Sequence, residues 1–229
     1  MKIILTSAPE LPGGEALNPA NGFVEELRKA LPNPCRGLFV CSSPDSPDKN
    51  ALYSGILRRW FEASGFRFSA YDVLDRRNTA DAAALVRDAE LIYLAGGHVP
   101  TQNTFFAEIG LKELLRDFHG VLVGCSAGSM NSAETVYVHP ELDGEAVDPD
   151  FARFRPGLGL TKTMILPHFQ DIRNDVLDGL RVIEDIALPD SFGREFLALP
   201  DGSYLLIENG SEVLRGEAFL IKDGAITPV

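Results

Sequence analysis

The sequence predicts an α/β fold of the Rossmann-like or flavodoxin-like kind, in which helices cover both faces of a mostly parallel sheet. Short apolar runs alternate with longer amphipathic segments through the first 124 residues, as strands and crossover helices do. Hydrophobic residues make up 45% of the 229 positions and charged residues 24%, which is enough to bury a large core. We therefore expect one α/β domain over residues 1–229.

The predicted elements follow one another in a regular order as far as residue 124. Apolar runs predict strands at residues 3–6, 37–41, 67–73, 91–95 and 121–124, and amphipathic spacing predicts helices at 21–30, 50–64, 79–89 and 101–118. Asn21 has a side chain suited to cap the first helix. Trp60, the single tryptophan, has the spacing of a core residue.

The pattern loosens after residue 135. Residues 136–159 are rich in proline, glycine and acidic side chains, and they predict a long irregular excursion. A strand at 164–169 ends at a histidine, a helix is predicted at 174–186, and β-like runs follow at 196–199, 203–208 and 218–222. We expect these last strands to extend the sheet in antiparallel fashion.

The net charge limits the kinds of partner, and the cysteine content indicates the redox compartment. The formal net charge of −12 argues against nucleic acid or an anionic membrane as the main partner. The three cysteines, Cys35, Cys41 and Cys125, form no C-x-x-C or zinc-binding spacing and predict reduced thiols in a cytoplasmic protein. The apolar run at residues 1–7 is too short for a signal peptide or a membrane span, so we expect neither.

The segment most informative about function is Gly124-Cys125-Ser126-Ala127-Gly128, which follows an apolar run and precedes a helix-like segment. This is the sequence form of a nucleophile elbow, in which a serine hydroxyl is exposed at the tip of a strand-to-helix turn. The glycines should allow the turn, and the N–H of Ala127 should face a developing oxyanion. The structural alternative is a small-residue turn that lets a helix pack closely on a sheet.

A serine nucleophile needs a base, and His168 is the preferred candidate among four histidines. Ser126 and His168 each follow a predicted strand, and side chains at the carboxyl ends of strands meet at one edge of an α/β sheet. His98 is the alternative, with a position that also suits substrate or oxyanion contacts. Gly96 and Gly97 end another predicted strand, so a Gly97 amide could join Ala127 as a second oxyanion donor.

The acid that would orient the base is left open by spacing alone. Eight carboxylates are candidates, six of them between the serine and the histidine: Glu134, Glu141, Asp143, Glu145, Asp148, Asp150, Asp171 and Asp201. Asp201 lies in a Pro-Asp-Gly turn, where aspartate also occurs for purely structural reasons.

These motifs together resemble the peptidase E and cyanophycinase family of serine peptidases. The likeness rests on Ala95-Gly96-Gly97 with Gln102-Asn103-Thr104, on Gly124-Cys125-Ser126-Ala127-Gly128-Ser129, on Pro167-His168-Phe169 and on Leu199-Pro200-Asp201-Gly202, in the family's order. The resemblance implies a flavodoxin-like fold akin to class I glutamine amidotransferases, with Ser126 as nucleophile and His168 as base. It implies Asp201 as the acid, where the family usually has glutamate; an acid between the serine and the histidine, Glu141 or Asp148, is the other option.

The resemblance also implies a cytoplasmic dipeptidase that acts on short peptides, with an N-terminal aspartate preference as one option. Such a preference needs a cation, for which Arg173 is the candidate, and Gly96 and His98 would contact substrate. We expect no cofactor and no metal, since no H-E-x-x-H or Cys/His ligand cluster occurs, and we allow for a homodimer. The remaining alternatives are a cyanophycinase-like enzyme, an esterase, an amidotransferase-like protein that uses Cys125, and a non-catalytic binding protein.

Overall fold

The computed structural model describes residues 1–229. Its strands are β1 (Lys2–Thr6), β2 (Cys35–Val40), β3 (Phe68–Leu74), β4 (Leu91–Leu94), β5 (Val121–Cys125), β6 (Thr135–Tyr137), β7 (Phe154–Pro156), β8 (Met164–Leu166), β9 (Val176–Leu177), β10 (Leu180–Arg181), β11 (Glu195–Ala198), β12 (Tyr204–Glu208), β13 (Ser211–Arg215), β14 (Phe219–Lys222) and β15 (Ala225–Pro228). Its α-helices are α1 (Phe23–Ala30), α2 (Pro47–Ala63), α3 (Ala82–Asp88), α4 (Val99–Glu108), α5 (Leu111–Leu114), α6 (Ala127–Asn131), α7 (Phe169–Ile172) and α8 (Leu188–Asp190). Short 3-10 segments occupy Ala20–Gly22, Arg76–Asp81 and Leu115–Asp117, and Val182–Ala187 forms a π-helical turn before α8.

A seven-stranded sheet in the order β13-β12-β1-β5-β4-β2-β3 forms the centre of the fold. The five strands from β1 to β3 in that order are parallel, whereas β12 and β13 add an antiparallel edge beside β1. Every residue of β4 is buried, as expected for a strand covered on both faces. The predicted α/β class with a mostly parallel sheet is therefore confirmed.

A second sheet contains β8, the strand that precedes His168. It has four strands in the order β15-β14-β11-β8, and β8 and β11 are parallel within it. The hairpins β6–β7 and β9–β10 flank it as separate two-stranded sheets. The largest hydrophobic cluster joins the two sheets, because it includes Ile165 of β8 together with Leu5 of β1 and Leu122 of β5.

The first half of the chain agrees with the predicted alternation, with two local differences. The helix predicted at 101–118 is interrupted at Gly110, whose φ of 63° ends α4 and begins α5. Asn21 does not cap α1, because it adopts a left-handed φ of 57° and Gly22 takes the capping position. Both are local backbone turns that hydrophobic spacing does not reveal.

The helix predicted at 174–186 is wrong. Residues Asp178 and Gly179 both have positive φ, 52° and 82°, and they form the two-residue turn of the β9–β10 hairpin. An Asp-Gly pair is a strong hairpin signal, and here it outweighed the helical spacing of the surrounding apolar residues. Helical structure begins only at Val182.

The C-terminal strands follow the prediction in part. The run at 203–208 becomes β12 and extends the central sheet antiparallel to β1. The runs at 196–199 and 218–222 instead become β11 and β14 of the second sheet, in which β11 lies between β8 and β14. None of the helices is long and apolar enough to cross a membrane.

Candidate active site

The candidate site lies at the carboxyl edge of the central sheet. Ser7 follows β1, Ser42 follows β2, Gly96 follows β4, and Ser126 follows β5. Because these strands are parallel neighbours, their carboxyl ends converge at one edge, where ligands of open α/β sheets bind. His168 reaches the same edge from β8 of the second sheet.

Ser126 stands at a strained turn between β5 and α6, with φ 49° and ψ −114°. A positive φ is costly for a residue with a side chain and is typical of functional positions. The flanking glycines provide space instead: a Cβ on Gly124 would lie 3.0 Å from Leu5 Cδ2, and one on Gly128 would overlap the carbonyl oxygen of Leu94. Neither glycine has a positive φ, and the lack of a Cβ at both positions lets the chain turn from strand to helix without a clash, as predicted.

His168 is held by Asp201 and Ser7. The imidazole Nδ1 lies 2.8 Å from Asp201 Oδ1, the Ser7 hydroxyl donates to the same oxygen at 2.6 Å, and the His168 backbone N–H donates to Ser7 Oγ at 2.6 Å. His168 has a left-handed φ of 53°, which turns the chain from β8 into α7. With Asp201 ionised, Nδ1 carries the proton and Nε2 is left as the acceptor.

The electrostatics of this pair suit a base that must accept a proton. Burial alone lowers the pKa of His168, but the hydrogen bond and charge of Asp201 outweigh burial and leave that pKa raised. Smaller contributions come from Asp171 and Glu10. Burial raises the pKa of Asp201, but the hydrogen bonds from His168 and Ser7 outweigh it and leave that pKa lowered. The carboxylate therefore stays ionised beside the imidazole at neutral pH.

Ser126 and His168 face common space but are not joined by a hydrogen bond. Both line a cavity of about 360 Å³ on one side and a second cavity of about 580 Å³ on the other. Catalytic hydrogen bonds are often long in the absence of substrate and close in the complex. The arrangement brings a strained serine, a carboxylate-held imidazole and two adjoining cavities to one sheet edge.

Two backbone amides are available beside Ser126. Gly97 has a φ of 143°, and its N–H has no acceptor within the protein. A Cβ at this position would overlap the Ser42 side chain, so only glycine fits the turn. Ala127 is the first residue of α6, where the N–H lacks an intrahelical partner. These are the amides predicted to hold an oxyanion.

Comparison with known proteins agrees with this geometry. The family model for peptidase family S51 matches residues 3–214. The chain belongs to peptidase family S51. It is accordingly a serine-type peptidase, as the motifs predicted.

Solved structures show the same fold as this S51 peptidase. A peptidase from an acI-B1 Actinobacterium is 18% identical, with a TM-score of 0.66 over 100% of this chain and 93% of its own. A "Putative Peptidase E Protein" from Listeria monocytogenes EGD-e is 14% identical, with a TM-score of 0.62 over 93% of this chain and 97% of its own. No curated protein sequence matches the chain. At these identities the likeness concerns the fold.

Among the eight candidate acids of the S51 peptidase, Asp201 is the carboxylate within hydrogen-bonding distance of the His168 ring. Glu141 lines the second cavity, and burial raises its pKa to about 7. Asp148 is exposed and accepts a hydrogen bond from the Asp150 backbone. Glu145 accepts a hydrogen bond from the backbone N–H of Glu141 and none from His168.

The three residues predicted to contact substrate differ in how they lie relative to the cavities. Gly96 packs against the elbow, since a Cβ there would lie 3.3 Å from the Ser126 Cβ. His98 lines the second cavity, but its ring nitrogens already contact Thr101 Oγ1 at 2.7 Å and Glu145 Oε1 at 2.9 Å. Arg173 lines neither cavity: it is exposed, with its guanidinium 5.8 Å from the Phe169 ring centroid. The position of Arg173 therefore does not support the prediction that this side chain binds an acidic substrate.

Cys125 lies beside the nucleophile position without taking part in it. Burial raises the pKa of its thiol to about 12, and Sγ lies 3.6 Å from the carbonyl oxygen of Ser7. A thiol with so high a pKa is a poor nucleophile at neutral pH. The amidotransferase-like alternative therefore has no support from this position.

Three residues of the site were missed by sequence reasoning: Ser7, Glu10 and Lys49. Ser7 directly follows β1 and could have been found as a polar residue at the carboxyl end of a predicted strand. Glu10 and Lys49 line the cavities from loop and helix positions that carry no motif. His168, Asp171 and Asp201 also place potential metal ligands within 4.8 Å of one another, but a cation there would compete with the His168–Asp201 hydrogen bond.

Proposed function

We propose that this S51 peptidase hydrolyses short peptides through a Ser126–His168–Asp201 triad and an acyl-enzyme intermediate. The observation that carries the proposal is the 2.8 Å contact between His168 Nδ1 and Asp201, at the same sheet edge as the strained Ser126. That contact fixes the tautomer in which Nε2 is free to accept the serine proton.

In the proposed first step, the Ser126 hydroxyl attacks the scissile carbonyl carbon while Nε2 of His168 takes its proton. The Gly97 and Ala127 amides donate to the oxyanion of the tetrahedral intermediate. His168 then protonates the leaving amine, and the C–N bond breaks to leave an ester on Ser126. In the second step, His168 deprotonates a water molecule that attacks the ester, and the proton returns to Ser126.

Short substrates are supported by the size of the two cavities. They measure about 360 Å³ and 580 Å³ and meet at Ser126 and Gly97, so each has room for no more than a few substrate residues beside the scissile bond. An N-terminal aspartate preference would need a cation in one of these cavities. We leave that preference out of the proposal, because Arg173 lies outside both and the remaining cation, Lys49, is exposed at their rim.

The test is hydrolysis of dipeptides and amino-acid p-nitroanilides by the wild type and by Ser126→Ala. We expect turnover in the wild type, loss of at least about 10³-fold in the variant, and labelling of Ser126 by a fluorophosphonate probe. Hydrolysis of p-nitrophenyl esters without any peptide turnover would instead indicate an esterase. A folded wild-type protein that is neither labelled nor active would indicate a non-catalytic binding protein.

A further inference from the structure

The smaller of the two cavities is lined by a group of large apolar side chains, although the sequence resemblance allowed an N-terminal aspartate preference as one option. One end is formed by the catalytic edge, with Gly96, Gly97, Ser126 and His168. The apolar part of the lining consists of Phe39, Tyr53, Ile56, Leu57, Trp60 and Tyr93. The polar residues Ser42, Ser43 and Asn50 also line the cavity. We call this space the aromatic cavity. Its volume of about 360 Å³ is within the range of small-molecule sites.

Aromatic side chains of the cavity are packed against one another, and two of its polar side chains are hydrogen-bonded within the protein. Ser42 Oγ donates to the Gly96 carbonyl oxygen, and the Asn50 side chain donates to the Ser43 carbonyl oxygen. Phe39 and Tyr93 are buried, and their rings stack with centroids 5.9 Å apart. Trp60 donates its indole N–H to the carbonyl oxygen of Gly14, so its ring can face a ligand with its polar atom satisfied. Trp60, expected as a core residue, is half-buried and lines this space. An apolar group would therefore displace water from a preformed apolar surface.

The charges around the aromatic cavity disfavour an acidic occupant. Glu10 lines it from a half-buried position and has no ion-pair partner in the protein. Lys49 also lines it, but this side chain is exposed and its Nζ lies 6.0 Å from the centroid of the exposed Tyr53 ring. The field of a half-buried charge is less screened by solvent than that of an exposed one, so Glu10 dominates inside the cavity.

The residues near His168 in the chain indicate which side of the substrate enters this cavity. His168 must protonate the leaving amine, so the leaving group departs on the side where the histidine and its neighbours lie. The second cavity surrounds that side, because Pro167 and Ile172 line it together with the polar His139 and Glu141. His168 itself lines both cavities, but Pro167 and Ile172 line only the second, and the aromatic cavity extends instead toward Cys125 and Gly96. In the proposed reaction this arrangement assigns the aromatic cavity to the acyl part of the substrate.

We propose that the aromatic cavity binds the side chain of the residue on the acyl side of the scissile bond, and that it selects a large apolar or aromatic side chain over an aspartate. This inference rests on the proposed function of Ser126. The substrate class is thus a short peptide with phenylalanine, leucine or a similar residue before the cleaved bond.

The experiment compares kcat/KM for the p-nitroanilides of phenylalanine, leucine, alanine and aspartate. We expect phenylalanine or leucine to exceed both alanine and aspartate by at least tenfold. Ile56→Trp fills the cavity from α2 and should lower the phenylalanine-to-alanine ratio at least tenfold. The matched control, Leu52→Trp, changes an exposed residue of the same helix that does not line the cavity, and it should leave the ratio unchanged. Glu10→Gln should raise the aspartate-to-phenylalanine ratio at least threefold.

A second measurement separates this inference from the proposed function. In the Ser126→Ala variant, calorimetry should detect binding of L-phenylalanine at least tenfold tighter than that of L-aspartate. Ser126-dependent turnover that favours aspartate, or a ratio that Ile56→Trp leaves unchanged, overturns the inference while the peptidase stands. Binding of phenylalanine without any Ser126-dependent turnover overturns the proposed function and keeps the cavity as an apolar ligand site. Equal or absent binding of both amino acids counts against the cavity assignment.

Discussion

Replacement of Asp201 by asparagine is the perturbation that tests the proposed triad most directly. Asparagine is nearly isosteric, so the turn at residues 200–202 should survive the change. The carboxylate, however, accepts from both His168 Nδ1 at 2.8 Å and Ser7 Oγ at 2.6 Å. A carboxamide oxygen is uncharged and therefore a weaker acceptor for both donors, and in the flipped orientation the NH₂ group donates to Nδ1 and stabilises the wrong tautomer.

The magnitude follows from how exposed this pair is. The side chains of His168 and Asp201 are 34% and 42% exposed, so water shares in stabilising the imidazolium. A buried triad loses roughly 10⁴-fold in rate on the same change, and we expect a loss of roughly 10²–10⁴-fold here. That corresponds to about 2.7–5.4 kcal/mol of transition-state stabilisation in kcat/KM.

The pH profile gives a second, independent readout. The base form of His168 exists only above its pKa, which Asp201 raises above the ordinary histidine value of 6.5 despite the opposing effect of burial. The acidic limb of kcat/KM for the wild type should therefore lie above pH 6.5. Without the carboxylate, burial remains and lowers the pKa, so the limb of Asp201→Asn should move to lower pH.

The assay is kcat/KM from pH 5 to 9 on the best p-nitroanilide, with thermal unfolding to verify the fold. Asp171→Asn is the matched control, because Asp171 also raises the pKa of His168 but makes no hydrogen bond to its ring. It should stay within about threefold of wild type, with a smaller shift of the acidic limb. A folded Asp201→Asn enzyme with wild-type kcat/KM and an unmoved limb would refute the reasoning and return Glu141 to consideration.

Three further predictions concern the surroundings of the triad. Gly97→Ala should lower Tm and reduce kcat/KM more than tenfold, because a Cβ overlaps Ser42 and the φ of 143° is strained for alanine. The control is Gly65→Ala, which has a φ of 93° and open space around it, and which therefore measures the cost of the positive φ alone. Ser7→Ala should reduce kcat/KM roughly tenfold, because the His168 backbone N–H and the Asp201 carboxylate would each lose one hydrogen-bond partner. In a double-mutant cycle with Asp201→Asn the two effects should be non-additive, and strict additivity would contradict a shared hydrogen-bond network. Iodoacetamide at pH 7.5 should leave activity unchanged, because burial raises the pKa of the Cys125 thiol to about 12. Rapid inactivation that a cysteine-free variant resists would contradict this.

The sequence predicted those strands and turns that depend on residues adjacent in the chain. Buried strands in a parallel sheet are continuous apolar runs, so β1, β4 and β5 could be predicted within about two residues. The elbow at residues 124–128 and the histidine after β8 were visible for the same reason. The helix at 174–186 failed because spacing was preferred over the Asp178-Gly179 turn signal within it.

Which carboxylate meets His168 was decided only by the tertiary structure. Eight acids were compatible with the sequence, and Asp201 reaches the imidazole because the turn between β11 and β12 lies where the second sheet joins the central one. The bridging role of Ser7 and the lining of the aromatic cavity have the same origin. Their side chains come from elements far apart in the chain, and only long-range packing brings them to one edge. The sequence by itself therefore determined the class of fold and the candidate nucleophile and base, since these depend on neighbours along the chain, whereas the acid and the shape of the substrate site depend on neighbours in space.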